Sequence, residues 1–517
     1  MVSLATPHDQ PVRADIAVLG GGTAGAVVAG RLVGRTSASV VLVEAGPDYG
    51  PAGSGRWPRE LLDSTTLPTT HDWGYRGPGA AAGRELPFER ARVAGGCSSH
   101  NGCSQTVGHA DDYRAWGLSW TSGSLSGLME RAASRLRVRR DADEELTPFQ
   151  AAAMEAMVQS GIPRTDDLDD LLGGAGCGPS PVNNPGGIRW NTGFAYLDPV
   201  RGEPRLRVLD HALVDRLEFE GSAVRRARVR RGGRLVTVEA DRFVLCGGAY
   251  GSPEILLRSG VGPAADLRTL GVEVRLDLPG VGRNLHDHPL AELRFAAGEE
   301  LARRLAAYAR VRPVPDEQVI GKALSPGGRA PYDLHLLPWT GADERNGWTC
   351  VLPAACLTPR SRGTLRLVSP DPEVRPVIDH AYLSDPAGAD LAALRAGVEL
   401  CRAMAASPAL RPLLGEPLDA FSGSPAADDA ALRRVAAHYW HPVGTCAIGA
   451  DPAAGAVVDR RGLVHGADNL WVADASVMPV IPRATTNLPV VALAEHLVGE
   501  LVDELVGDLA PEPSGRR

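Results

Sequence analysis

Residues 15–33 read DIAVLGGGTAGAVVAGRLV. An apolar strand opens the run, the spacing Gly20-x-Gly22-x-x-Gly25 follows, and an Ala/Val/Leu segment with helical periodicity takes over. Each glycine has a physical reason to be there. Gly20 permits a tight turn, Gly22 lets the backbone approach a pyrophosphate, and Gly25 lets the helix pack closely on the strand, so that the helix N-terminus can hold phosphate charge. A second apolar strand, residues 39–43, ends at Glu44, about 20 residues beyond the glycines, where a carboxylate can accept from ribose hydroxyls. A glycine triplet alone is a weak signal; strand, helix, strand and acid in order read as a dinucleotide site.

Working outward, 517 residues are too many for one ordinary core, and two domains of unequal kind are expected. The formal net charge of −8, with acids and bases interspersed, argues against a nucleic-acid surface. Apolar stretches are broken well short of a membrane span, and residues 1–13 lack the charged start and apolar run of a signal peptide. Eight cysteines without a C-x-x-C pair or a Cys/His cluster at metal spacing predict a reduced, cytoplasmic protein with no metal site. Lys322 is the only lysine. No internal repeat is present, and residues 509–517 are expected to be a disordered tail.

Strand-like alternation at residues 206–220, 235–246 and 469–473 matches that of the N-terminal strands, as if one sheet were revisited. Residues 299–309 and 387–405 have helical periodicity, and 332–338 and 364–368 alternate as strands.

Residues 95–102, GGCSSHNG, form a Gly-rich turn carrying Cys97, two serines and His100; residues 248–262, GAYGSPEILLRSGVG, place a strand end, a compact turn and a short helix expected from Pro253. Residues 279–289, PGVGRNLHDHP, follow; His286 and His288 lack companions at metal spacing and are expected to be structural. Near the C-terminus lie HYWHPVGT at 438–445 and NLWVADASVMPVIP at 469–482. Together these stretches resemble the glucose-methanol-choline (GMC) family of flavin oxidoreductases, across most of the chain. The resemblance implies an α/β fold, α+β overall: a Rossmann-like FAD-binding domain from residues 12–124, 206–292 and 446–508, and a discontinuous substrate-binding domain, built on an antiparallel sheet plus helices, from 125–205 and 293–445.

It also implies roles. Gly95, Gly96, Ser98 and Asn101 would belong to the flavin loop with Gly20, Gly22, Gly25 and Glu44. The loop is similar to the choline-oxidase type, in which a histidine at the place of His100 is bonded covalently to the flavin ring. Val214 would meet the adenine through its main chain, Asp474 and Ala475 the pyrophosphate and ribityl chain, and Asn487 the isoalloxazine. His441 takes the family's catalytic position: alcohol oxidation by hydride transfer to flavin N5 needs a base for the hydroxyl proton, and imidazole titrates near working pH. A histidine before proline can also merely cap a turn. Trp440 and His335 are candidate substrate-cavity residues, although His335 could equally be a satisfied core histidine.

Two departures lie at the reacting centre. The choline-oxidase type has a serine where this chain has Gly102, and the usual His or Asn partner of the catalytic histidine falls on Thr485, whose hydroxyl could serve a substrate oxygen. No aromatic cage or carboxylate for choline is legible in residues 293–440, and a larger alcohol, such as a hydroxyl on a specialised metabolite, suits a site enlarged at Gly102. The expected partners are a small-molecule alcohol and an electron acceptor, oxygen or a quinone-type carrier, with a homodimer as one arrangement. A non-redox lyase of the hydroxynitrile-lyase type and a non-catalytic flavin protein are the other readings.

Overall fold

The computed structural model describes residues 10–343, 347–424 and 428–507; the tail expected at 509–517 lies outside them. Two sheets carry the architecture. In the first, the strands run in the order Leu206–Leu209, Val40–Val43, Val12–Leu19, Arg234–Leu245, Ala223–Arg231, Ala212–Glu220, with Leu470–Val472 also beside Arg234–Leu245. Val12–Leu19 is parallel to both its neighbours, Ile16 facing Val40 on one side and Arg242 on the other. Ile16, Ala17, Val18 and Leu19 have no exposed surface. A parallel strand covered on both faces is why this segment reads as a continuous apolar run and not as an alternation.

The second sheet is antiparallel, in the order Leu414–Pro417, Pro289–Ala297, Gly347–Cys356, Leu334–Leu336, Val319–Ala323, Gly176–Pro179. Its second strand starts at Pro289, ahead of residue 293. The alternation at 332–338 becomes a strand of three residues followed by a separate one, Trp339–Asp343. The helices at Glu299–Ala309 and Ala389–Ala406 fall where periodicity puts them. Among the described residues no helix is long and apolar enough to cross a membrane.

One helix departs from expectation. It runs over Gly248–Arg258, beginning five residues before Pro253 and keeping that proline inside. Proline has no N–H to give the carbonyl four residues back, that of Ala249. Thr445 supplies the missing donor, its Oγ1 donating to the Ala249 carbonyl over 2.6 Å. Ser259 acts locally, donating to the Ile255 carbonyl at 2.6 Å, whereas Ser252 reaches across to donate to Asp474 Oδ2 at 2.6 Å. The parallel strands Val12–Leu19, Val40–Val43 and Arg234–Leu245 all end at one edge, where Leu19, Val43 and Cys246 border a cleft. Ligands of open parallel sheets bind there, beyond the carboxyl ends of the strands.

Candidate active site

The cleft encloses about 670 Å³ and runs from the end of the first sheet to Glu317, Leu337 and Tyr439, which flank strands of the second. At its floor the helix Thr23–Arg35 starts from Gly22 with no side-chain cap and no acid in its first turn. Its first N–H groups are therefore left for a ligand, and the helix dipole favours an anion there. A Cβ on Gly25 would stand 1.8 Å from the Gly20 carbonyl oxygen, so helix and strand approach as closely as the fingerprint requires. Gly96 has φ of 53°, and a Cβ on it would lie 2.6 Å from the Gly22 Cα. The two glycine turns thus touch backbone to backbone, joined by the Gly95 N–H donating to the Gly21 carbonyl at 2.8 Å and the Ser98 N–H to Thr23 Oγ1 at 3.1 Å. Glu44 borders the cleft and accepts from the Gly21 and Gly46 N–H groups at 2.8 and 2.7 Å; burial raises its pKa against those hydrogen bonds. An uncapped helix start, two glycine turns and an acceptor carboxylate fit a dinucleotide.

The other expected cofactor residues divide. Gly20, Gly22, Glu44, Gly96, His100, Asn101, Val214, Asp474, Ala475 and Asn487 line the cleft. Ser98 does not: it is fully buried, donating to the Gly95 carbonyl at 2.6 Å and meeting Thr192 Oγ1 at 3.0 Å, so its hydroxyl closes the loop and is turned away from the cleft. Gly25 and Gly95 act one layer back, through close packing. Asp474 accepts from the Gly248 N–H at 2.8 Å and from Ser476 at 2.8 Å. The Val214 carbonyl accepts from Arg258 at 3.2 Å. His100 Nε2 contacts the Thr70 carbonyl at 2.9 Å, and burial lowers its pKa, leaving the imidazole neutral.

At the far end His441 faces the cleft half-buried. Its Nδ1 lies 3.0 Å from Nδ1 of His288. Burial, then the other histidine, holds His441 well below the ordinary imidazole range, and burial takes His288 down to about 3. Both rings are neutral at pH 7, so one proton is shared along the contact. With His441 as its donor, Nε2 is left bare towards the cleft, the state of a general base. The His441 N–H donates to Asp287 Oδ1 at 2.9 Å. Trp440 adopts φ of 60°, a left-handed conformation costing a bulky side chain about 1–2 kcal/mol. It is fixed by its indole donating to Glu89 at 2.9 Å and its carbonyl accepting from Arg90 at 3.0 Å.

Three expectations are corrected. Thr485 lines the cleft, but its hydroxyl donates to the Ser104 carbonyl at 3.0 Å and accepts from the Thr106 N–H at 3.0 Å; it ties two loops together and has no proton left for a substrate oxygen. His335 is buried behind Tyr439 and does not border the cleft. His288, expected to be merely structural, holds the His441 ring. Gly102 lines the cleft opposite Glu317, and a Cβ there would stand in ordinary contact with that carboxylate, at 3.5 Å. Sequence reasoning also missed Glu317, a carboxylate in the cleft wall outside every motif, pushed up to about 8 by burial and then by Asp316. Buried Arg189 was missed as well; it donates to the carbonyls of Asn101, Leu61 and Thr66 at 2.7, 2.8 and 2.6 Å, pinning the flavin loop to residues 61–66. All eight cysteines are free, and no cluster fit to hold a metal occurs among the described residues.

Comparison with known proteins agrees with this geometry. The chain matches the two GMC oxidoreductase family models, over residues 14–290 and 359–494. It is 33% identical over 539 residues to the oxygen-dependent choline dehydrogenase of Burkholderia thailandensis, covering 94% of this chain and 93% of the relative. To the 5-(hydroxymethyl)furfural oxidase of Methylovorus sp. it is 33% identical over 543 residues, covering 95% and 99%. The crystal structure of pyridoxine 4-oxidase from Mesorbium loti superposes with a TM-score of 0.82 at 28% identity, covering 94% of this chain and 98% of that one.

The contact between the glycine turns yields a test. Gly96→Ala forces a left-handed alanine costing about 1–2 kcal/mol and pushes the turns apart, which at about 1.4 kcal/mol per tenfold should weaken FAD retention at least about tenfold. Flavin absorbance per protein after gel filtration measures it.

Proposed function

The chain belongs to the GMC oxidoreductase family of FAD-dependent alcohol oxidoreductases, and from that premise we propose that His441 is the base that takes the substrate's hydroxyl proton. The observation that carries this is the neutral His441–His288 pair, with Nδ1 held from behind at 3.0 Å and Nε2 open to the cleft. FAD, when bound, supplies the hydride acceptor at flavin N5. Gly20, Gly22, Glu44, Gly96, Asp474 and Ala475 would hold it, with Val214 at the adenine end and Asn487, which donates to Gln105 at 3.0 Å, beside the ring. The first sheet then carries the cofactor, and Glu317, Leu337 and Tyr439, beside strands of the second, form the substrate wall. His441 receives the proton as the carbinol hydrogen leaves, and Trp440 and Tyr439 confine the alcohol and limit water. The product is the aldehyde or ketone, and oxygen or a quinone-type carrier is the final acceptor.

Glu317 narrows the substrate. Its carboxyl makes no hydrogen bond with the described residues and stands near Tyr439. A carboxyl and aromatic faces in one wall favour a small alcohol bearing a cation or a ring donor. The relatives' names, a choline dehydrogenase, a furfural alcohol oxidase and a pyridoxine oxidase, define the panel to try. A neutral His100 at the cleft supports the reading of this residue as the covalent tether of the flavin.

His441→Gln should lower the anaerobic rate of flavin bleaching by about 10²–10⁴-fold, the usual worth of a general base, with FAD still bound; a rate close to the parent's refutes the assignment. A covalent link should leave the yellow colour in the acid-precipitated pellet and lose it to the supernatant in His100→Ala. For Glu317, the carboxyl is mostly protonated at pH 7 and ionises as pH rises through about 8. The ratio of kcat/KM for choline to that for 5-(hydroxymethyl)furfural should therefore climb with pH and lie flat in Glu317→Gln.

A further inference from the structure

Behind His441, both ring nitrogens of His335 and the hydroxyl of Tyr439 are buried with no hydrogen-bond partner among the described residues, and Nε2 of His288 has no well-directed one, only the backbone of Pro482 and Leu357 beside the ring. Buried polar groups in native proteins are satisfied, and where no protein group serves, ordered water does. The rings adjoin, with Tyr439 6.0 Å from His288 and 6.4 Å from His335, centroid to centroid. His335 in turn faces Lys322 across the antiparallel pair Val319–Ala323 and Leu334–Leu336, so the two side chains share one face of the sheet. Lys322 is 2% exposed, donates to the Leu168 carbonyl at 2.6 Å and lies 5.0 Å over the Tyr332 ring. Next to Leu168, Asp169 is 32% exposed and pairs with Arg140 at 2.5 Å. Asp167 and Asp170 also face the amine. A line of exchangeable groups thus leads from the rear of the base to a surface loop.

The choice of lysine is informative. The chain has 54 lysine and arginine side chains, and Lys322 is the one lysine among them. A guanidinium does not give up its proton in a protein, whereas a buried amine can. Its pKa is lowered by burial to about 8, so both forms are accessible near neutrality.

We propose that His288, His335 and Lys322, bridged by water, carry the proton taken by His441 out to the surface beside Asp169. This rests on His441 being the base. Each alcohol oxidised leaves one proton on the protein. That proton arrives at His441 Nε2, the Nδ1 proton of the same ring passes to His288 Nδ1, and the Nε2 proton of His288 passes through water and His335 to the neutral amine of Lys322. The resulting ammonium releases a proton to solvent at the 167–170 loop, and a return shift of the ring protons restores both histidines. No electrons move along this line.

The test is an anaerobic single turnover of the FAD-loaded protein in weak buffer with a pH-indicator dye, using whichever of choline, pyridoxine or 5-(hydroxymethyl)furfural bleaches the flavin. In Lys322→Met and His335→Phe, bleaching should stay within about threefold of the parent while the bulk proton lags it at least about tenfold. Lys322→Arg keeps the charge but not the exchange, and should lag likewise. Protons that appear together with bleaching in all three variants overturn the relay. Bleaching that persists in His441→Gln overturns the base instead. A second readout needs no substrate: ¹⁵N-lysine labelling gives one side-chain amine signal, whose titration midpoint should move in His335→Phe; an unmoved midpoint also overturns the relay.

Discussion

The contact on which this structure rests is the one between two glycine turns, Gly20–Gly22 and Gly95–Gly96. It brings backbone against backbone because neither side has a Cβ at the point of approach. The Gly95 N–H and Thr23 Oγ1 cross-link the turns, leaving the start of the helix Thr23–Arg35 facing the cleft with its first N–H groups unused. The cleft's floor and the loop that carries His100 are thereby fixed by one contact, so the place for the phosphates and the place for the reactive ring are set together.

Around that floor the protein treats charge in two ways. Arg189 is buried without a hydrogen-bonded carboxylate, but carbonyls of two chain segments accept its protons. A delocalised cation held by carbonyls stays charged and serves as a clamp. Glu317 is left without such partners, and burial pushes its carboxyl towards the neutral form. The first arrangement gives rigidity; the second leaves a group free to respond to what enters the cleft.

The fold and the cofactor end were legible because their demands fall on short stretches. Gly20, Gly22 and Gly25 are needed within one turn, and Glu44 at the end of the next strand; such spacings survive in a linear reading. The reacting end is different. His288 and His441 are 153 positions apart and meet only because Pro289–Ala297 pairs with Ala437–His438. Thr485 looked available, yet its bonds to Ser104 and Thr106 come from a loop some 380 positions earlier. Gly102 was legible as a gap, but the carboxylate it faces, Glu317, lies in no motif. Ser98 and His335 have suitable side chains on suitable segments, and packing turned both away from the cleft. Pro253 misled for the same reason, since distant Thr445 supplies the hydrogen bond whose loss would otherwise have ended the helix.

Trp440 has a bearing beyond its own place in the cleft wall. Its strained backbone immediately precedes His441, and Glu89, Arg90 and Asp287 pin the two residues through the indole, the carbonyl and the following N–H. The cleft wall and the imidazole behind it are consecutive links of one taut chain. Reshaping the wall at Trp440 therefore also re-aims the His441 ring, unless Glu89, Arg90 or Asp287 changes with it.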